Sequence, residues 1–357
     1  MIHNFNAGPS ILPTIVLQQA AEAIHNFNGS GLSLLEIGHR TPAFEAVLHE
    51  AVSLVKELMQ LDSNREVLFL HGGATTQFMQ VPLNLLNSNE TAAYADTGVW
   101  GKKAIEEAKH HGTVDVVCSS ADKNYTYLPK LFVLPKTDKY VHVTSNETIY
   151  GTQWQNFEPF YNSGLPLVAD MSSDIFSRVL NFNKFDLIYA GAQKNMGAAG
   201  VNLVIVNKHI LGKVTHRIPD ILNYSKHIKN GSMLNTPPVF AIYVAMLTLR
   251  WIKSMGGIAA MEKLNIEKAK LLYSTLDSLP IFVPTVAKED RSKMNICFVM
   301  KTAEQEAAFA AICEAQNIYG IKGHRSVGGF RASLYNALPL SSVQHLCNVM
   351  LQFYAGS

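Results

Sequence analysis

The sequence predicts an α/β fold, with a mainly parallel sheet covered by helices on both faces, followed by a smaller α+β unit. Three observations carry this reading. From about residue 41, short apolar runs alternate with segments of helical period. The runs are strand-length and largely apolar, as strands buried on both faces are. After residue 238 the alternation gives way to long helices with a few strands between them.

The elements follow in order. In "TPAFEAVLHEAVSLVKELMQL", Thr41 is the expected N-cap and Pro42 the first helical residue. Phe44, Val47, Leu48, Ala51, Val55, Leu58 and Met59 recur at steps that define one apolar helix face. "EVLFL" (66–70) is a strand, and "HGGATTQF" leads from it into a helix. "TAAYA" (91–95) is a strand, and "VWGKKAIEEAKHHG" a helix closed by Gly112. "VDVVCS", "KYVHVTS", "LPLVADMS", "FDLIYAG" and "VNLVIVN" are further strands. Two long helices, "VFAIYVAMLTLRWIKSMG" and "GIAAMEKLNIEKAKLLYSTLDSL", join at Gly256-Gly257. The strand "NICFVM", the helix "AEQEAAFAAICEAQN", the strand "GGFRASLYN" and a serine-started last helix, "SSVQHLCNVMLQFY", complete the chain. The expected division is residues 1–256 for the N-terminal segment and larger unit, and 257–357 for the smaller one.

Composition narrows the function. A net charge of +2 lacks the basic surplus of a general nucleic-acid binder. The scattered histidines form no metal-ligand spacing, so no metal site is expected. Cys118, Cys297, Cys313 and Cys347 lie far apart in apolar contexts and read as reduced core residues. The start, "MIHNFNAGPSILP", has no secretory pattern, and "VFAIYVAMLTL" is about half the ~20 residues of a membrane span. A cytoplasmic location and no membrane partner are expected.

In open α/β sheets, ligands bind beyond the carboxyl ends of the strands. The small residues of "HGGATTQF" free backbone N–H groups for an anion at a helix start, although the pattern is neither a dinucleotide fingerprint nor a Walker loop. Trp100 in "ADTGVWGKK" can cover a flat ligand or simply pack. "VTSNETIYG" places polar residues, Thr148 among them, after an apolar strand. Asp170 ends the apolar run of "LPLVADMSSD", where a carboxylate is costly unless it caps a helix, pairs with Arg178 or meets a cationic ligand. Lys194 in "YAGAQKNMGAAG" is either a loop lysine or a reactive amine.

Together these features match pyridoxal phosphate, a flat pyridinium carrying one phosphate and one aldehyde. It needs a lysine amine, a carboxylate at the ring nitrogen, an aromatic face and an anion cup. Lys194, Asp170, Trp100 and the Ala74/Thr75 turn supply all four. Two basic clusters, His39 and Arg40 in "IGHRTPAF" and His324, Arg325 and Arg331 in "IKGHRSVGGFRAS", suit a substrate with two anionic ends.

The segments "NFNAGPSILP", "GHRTPAFEAV", "GGATTQF", "TGVWGKKA", "SNETIYG", "ADMSSD", "GAQKNMGAAG" and "KGHRSVGGFRASLYNA", in this order, resemble the phosphoserine aminotransferase family of class V, fold-type I pyridoxal-phosphate enzymes. The resemblance implies Lys194 as the Schiff-base lysine and Asp170 at the pyridine nitrogen, with one cofactor per subunit. It implies Trp100 on the ring, Thr148 bonded to the cofactor, and Ala74, Thr75 and Gln193 at its phosphate. "LNTPP" resembles the segment that reaches a neighbouring subunit, so Asn235 and Thr236 would bind the phosphate there, in a homodimer with shared sites. Arg331 would hold the substrate α-carboxylate. His324 and Arg325, with His39 and Arg40 from the partner, would hold the distal anion. The chain departs from the family at Thr75, where many members carry an arginine.

The implied reaction moves an amino group from L-glutamate to 3-phosphohydroxypyruvate, in serine biosynthesis. A phosphorylated threonine of vitamin B6 synthesis, 4-phosphooxy-L-threonine, is a second substrate the resemblance admits. The rivals are a small-amino-acid transaminase, a cysteine desulfurase with a mobile loop cysteine, and a non-catalytic ligand-binding protein.

Overall fold

The computed structural model describes residues 2–356. The chain opens with strand β1 (His3–Asn4) and helices α1 (Thr14–His25) and α2 (Pro42–Leu58). Alternation follows through β2 (Arg65–His71), α3 (Ala74–Leu85), β3 (Thr91–Asp96), α4 (Val99–Ala108), β4 (Thr113–Ser119) and β5 (Val141–Thr144). Then come the single turn α5 (Glu158–Tyr161), β6 (Leu167–Asp170), β7 (Leu187–Gly191), β8 (Val201–Asn207) and α6 (Tyr224–Lys229). Helices α7 (Val239–Ser254) and α8 (Gly257–Ser278) lead to β9 (Phe282–Pro284), β10 (Asn295–Met300), α9 (Ala303–Ala315), β11 (Ile318–Tyr319), β12 (Phe330–Ser333) and α10 (Leu340–Ala355).

The central sheet has the order β2-β8-β7-β6-β5-β3-β4. Strands β7, β6, β5, β3 and β4 pair in parallel, whereas β8 runs antiparallel to both β7 and β2. The reversal follows from the short 192–200 connection, which cannot make the crossover a parallel pair needs. Because β8 alone is reversed, the carboxyl ends of β2, β7, β6, β5 and β3 all reach the same edge.

Alternate strand residues face opposite layers. Phe69, Ala95, Val143, Ala169 and Ile188 pack with α2 and α7 on one face. Leu68, Tyr94, Val168, Tyr189 and Val204 pack with α3, α4 and Tyr224 on the other. Both faces are therefore buried, which accounts for the run of apolar strands.

A smaller antiparallel sheet, β12-β10-β9, carries its own core with α9 and α10. Helix α8 joins the two units: Ile258 and Met261 belong to the large core, and Ala269, Leu272 and Leu276 to the small one. Strand β1, read from the sequence with the larger unit, pairs in parallel with β11, and Phe5 sits in the small core.

Three local expectations change. Thr41 occupies the N-cap of α2, but its hydroxyl donates to the Gly38 carbonyl at 2.8 Å and caps no helical N–H. Helix α4 stops at Ala108, and Gly112 lies in the turn beyond it, where a side chain would collide with Leu86 and the Asn87 carbonyl. The last helix starts at Leu340 after Pro339 rather than at a serine. No single helix among the described residues is long and apolar enough to cross a membrane.

Behind the site edge lies a buried polar knot. Asp174 accepts hydrogen bonds from Gln153 at 3.1 Å, from Arg178 at 2.8 Å and from the Ser145 hydroxyl. Removing one partner leaves the others buried and uncompensated. Asp174→Ala is therefore expected to destabilise the chain by about 3–5 kcal/mol, measured as a lowered midpoint in urea with an unchanged slope.

Candidate active site

The common edge holds a cavity of about 290 Å³, near the lower end of small-molecule sites. It gathers Ala74, Thr75, Trp100, Thr148, Asp170, Gln193, Lys194, His324 and Arg331. A larger surface cleft of about 430 Å³ shares no lining residue with it, and its charged lining residues, Glu57 and Lys253, bond to each other at 2.7 Å. Convergent chemistry, not size, marks the smaller cavity as the site.

Each side chain arrives from a strand end or the turn after it. After β2, Gly73 occupies the N-cap of α3, so the unpaired first-turn N–H groups at Ala74 and Thr75 border the cavity. After β3, Gly98 opens α4 and Trp100 is its second residue. At Gly98, where φ is 157°, an added Cβ would collide with the Glu147 carboxyl. After β5 comes Thr148, and Asp170 is the last residue of β6. Gln193 and Lys194 stand in the turn between β7 and β8.

The Lys194 ammonium donates to the Thr148 hydroxyl at 2.7 Å and lies 5.8 Å from the centre of the Trp100 ring. Burial draws its pKa down to about 8, against the opposing pull of the Asp170 and Glu147 charges. Asp170 is buried, and its Oδ1 accepts the Ser172 N–H at 2.9 Å. Burial raises its pKa, while the bonds from Ser172 and the nearby Lys194 act in the opposite sense. Arg178 pairs with Asp174 rather than with Asp170. Asp170 forms no ion pair among the described residues, and the Lys194 charge in the same cavity reaches it only at longer range.

Arg331 crosses from β12, its Nη1 donating to the Thr148 carbonyl at 3.3 Å. Its Nε is buried without a partner. His324 also lines the cavity, with Nδ1 2.7 Å from the Ser326 hydroxyl. Burial, then the charges of Arg331, Arg325 and Lys103, lower its pKa.

Five expected residues stand apart. Arg325 is exposed in the turn after His324 and does not line the cavity. His39 is half-buried and Arg40 exposed, both outside it. Asn235 borders a separate cavity of about 190 Å³. Thr236 is exposed, its carbonyl 2.6 Å from His71 Nε2.

The structure adds residues to which no role was assigned from the sequence. Ser10 donates its N–H to the Gln193 carbonyl at 2.9 Å and its hydroxyl to the Lys194 carbonyl, so the N-terminal segment walls the site. Ala7, Gly8, Ser172 and Ser173 also line it. Glu147, buried, accepts the N–H groups of Trp100 and Ile149, both at 3.3 Å. It thereby ties the start of α4 to the Thr148 turn. Burial pushes its carboxyl up to about 8. The signal that singled out Asp170, a carboxylate just past an apolar strand, also applied to Glu147.

The donor set fits pyridoxal phosphate. A buried carboxylate without an ion-pair partner suits a pyridinium N–H, a buried amine of lowered pKa suits a carbonyl carbon, and a helix start suits the phosphate. All four cysteines are free, buried and on strands or helices, which removes the loop cysteine a desulfurase would need.

Comparisons with known proteins agree. The family model for class-V aminotransferases matches residues 2–346. The phosphoserine aminotransferase of Flavobacterium johnsoniae is 55% identical over 349 residues, covering 98% of this chain and 97% of the relative. A solved phosphoserine aminotransferase, described for radiation damage of its Schiff base, superposes with a TM-score of 0.97 at 44% identity, covering 100% of each chain. The pyridoxal-phosphate-bound phosphoserine aminotransferase of Trichomonas vaginalis gives 0.93 at 38% identity, covering 98% of this chain and 100% of that one. By family match, identity and site chemistry alike, this chain belongs to the class-V aminotransferases, a family of pyridoxal-phosphate-dependent transaminases.

Proposed function

We propose that the chain is a phosphoserine aminotransferase, moving an amino group reversibly from L-glutamate to 3-phosphohydroxypyruvate to give O-phospho-L-serine and 2-oxoglutarate. The observation that carries this reading is the convergence of Lys194, Asp170, Trp100 and the α3 N-terminus on a cavity whose outer residues, His324 and Arg331, are basic. Relatives named as phosphoserine aminotransferases, matched over nearly their full length, support the same substrate.

Bound to Lys194, pyridoxal phosphate supplies an electron-accepting ring and a carbon that carries the amino group between substrates. The chain does the rest. Asp170 holds the proton on the ring nitrogen, and Trp100 covers the ring and excludes water. Thr75, Gln193 and the first-turn N–H groups of α3 hold the cofactor phosphate. Thr148 positions the Lys194 amine, whose lowered pKa leaves much of it neutral near pH 8 and able to take a proton from the substrate Cα. Arg331, fixed against the Thr148 carbonyl, receives the substrate α-carboxylate.

The assembly in this reading is a homodimer with two shared sites. His39, Arg40, Asn235 and Thr236 all lie outside their own chain's cavity, as residues serving the neighbour's site would. Steady-state kinetics test the substrate. The kcat/KM for 3-phosphohydroxypyruvate should exceed that for hydroxypyruvate by at least about 100-fold, since the charged pairs would lose their anion. Equal efficiency on both would overturn the assignment.

A further inference from the structure

Outside the cavity lining, but against one of its residues, stands a cation that the proposed mechanism does not use. Lys103 follows Trp100 by three residues on α4, the spacing that puts two side chains on one helix face. Its ammonium lies 4.9 Å from the centre of the Trp100 ring. It is exposed, and it forms no ion pair or hydrogen bond among the described residues. Its charge acts on His324 together with those of Arg331 and Arg325. His324 and Trp100 line the same cavity.

An unpaired lysine is ordinary on a surface. One held against a cavity-lining tryptophan, with a charge that reaches a cavity-lining histidine, is placed for an anion entering that cavity. Arg331 bonds to the Thr148 backbone beside Lys194, which puts it at the α-carboxylate end of a substrate. The charges of His324 and Lys103 are then left for the other end.

We propose that Lys103 is a specificity-determining contact for the substrate's terminal anion, acting with His324 and favouring dianionic phosphate over a single carboxylate. This rests on the phosphorylated substrate proposed above. A flexible ammonium suits a phosphate, which offers acceptors in several directions, better than it suits a planar carboxylate. Lys103 is exposed and its charge is screened by salt, so its contribution belongs to substrate capture more than to the chemical step.

The test uses the holoenzyme and its Lys103→Gln and Lys103→Arg variants at low ionic strength. For Lys103→Gln, KM for 3-phosphohydroxypyruvate should rise about fivefold, with kcat changed by less than about twofold. The KM for hydroxypyruvate should move by less than about twofold, and Lys103→Arg should keep most of the wild-type preference. The dissociation constant of O-phospho-L-serine, followed by holoenzyme absorbance, should rise by the same factor, and the difference should shrink in about 0.5 M salt. Equal changes for both keto acids, or none, would overturn the role of Lys103 while leaving the proposed function intact. A wild-type enzyme with no preference for the phosphorylated keto acid would overturn both.

Discussion

Replacing Lys194 with alanine is expected to lower the transamination rate by at least about 1,000-fold. Among the described residues Lys194 is the one amine lining the cavity, and a threonine hydroxyl at 2.7 Å holds it there. A base that must take a proton from a carbon needs a pKa near the working pH, and burial brings this amine to about 8. Alanine removes the base without filling its space, so a small exogenous amine such as methylamine should restore part of the rate. Arginine, which stays protonated, should not restore it. The measurement is 2-oxoglutarate release in a single turnover, with the thermal midpoint recorded for each variant to separate lost chemistry from lost folding. A stable Lys194→Ala protein that turns over normally would remove Lys194 from the mechanism.

The site was legible where burial and charge conflict. Asp170 ends an apolar run and Lys194 follows one by three residues, and an ionisable group there needs a partner or a task. The same conflict marks Glu147, yet it lies among polar neighbours in "SNET", which disguised a buried carboxylate as a loop residue. The N-terminal wall was less accessible still. Ser10 acts through its backbone N–H and its hydroxyl on the turn that carries Lys194, and periodicity does not report such pairings. Strand β1 is two residues long, and its pairing with β11 joins opposite ends of the chain.

The fold shows the same division. The sheet's burial on both faces is written into its strand composition, whereas strand direction depends on connection length. The reversal of β8 follows from the 192–200 turn and not from any property of "VNLVIVN" itself. Caps were misread for a related reason. The Thr41 hydroxyl has a choice between the helix and the Gly38 carbonyl, and the local turn decides it.

Asp170→Asn isolates charge from shape. The asparagine is nearly isosteric and can still accept the Ser172 N–H, now at 2.9 Å from Oδ1, so the turn after β6 should be retained. What disappears is a buried negative charge facing the cavity, and the loss in kcat is expected to be about 100- to 1,000-fold. A second readout follows from Lys194. The Asp170 carboxylate favours the protonated amine, opposing the burial that lowers its pKa to about 8. Without that charge the amine should titrate at lower pH, so the rate at which an amine reagent modifies Lys194 in the cofactor-free protein should begin to rise at a lower pH than in the wild type. Asp170→Glu keeps the charge but moves it by one methylene, and should recover more of the amine's titration than of kcat. If Asp170→Asn left both kcat and the modification profile unchanged, the carboxylate would be a structural feature of the strand end and not part of the chemistry. If kcat fell while the Lys194 profile stayed fixed, Asp170 would act on the ring alone, and the lysine's pKa would be set by burial and Glu147.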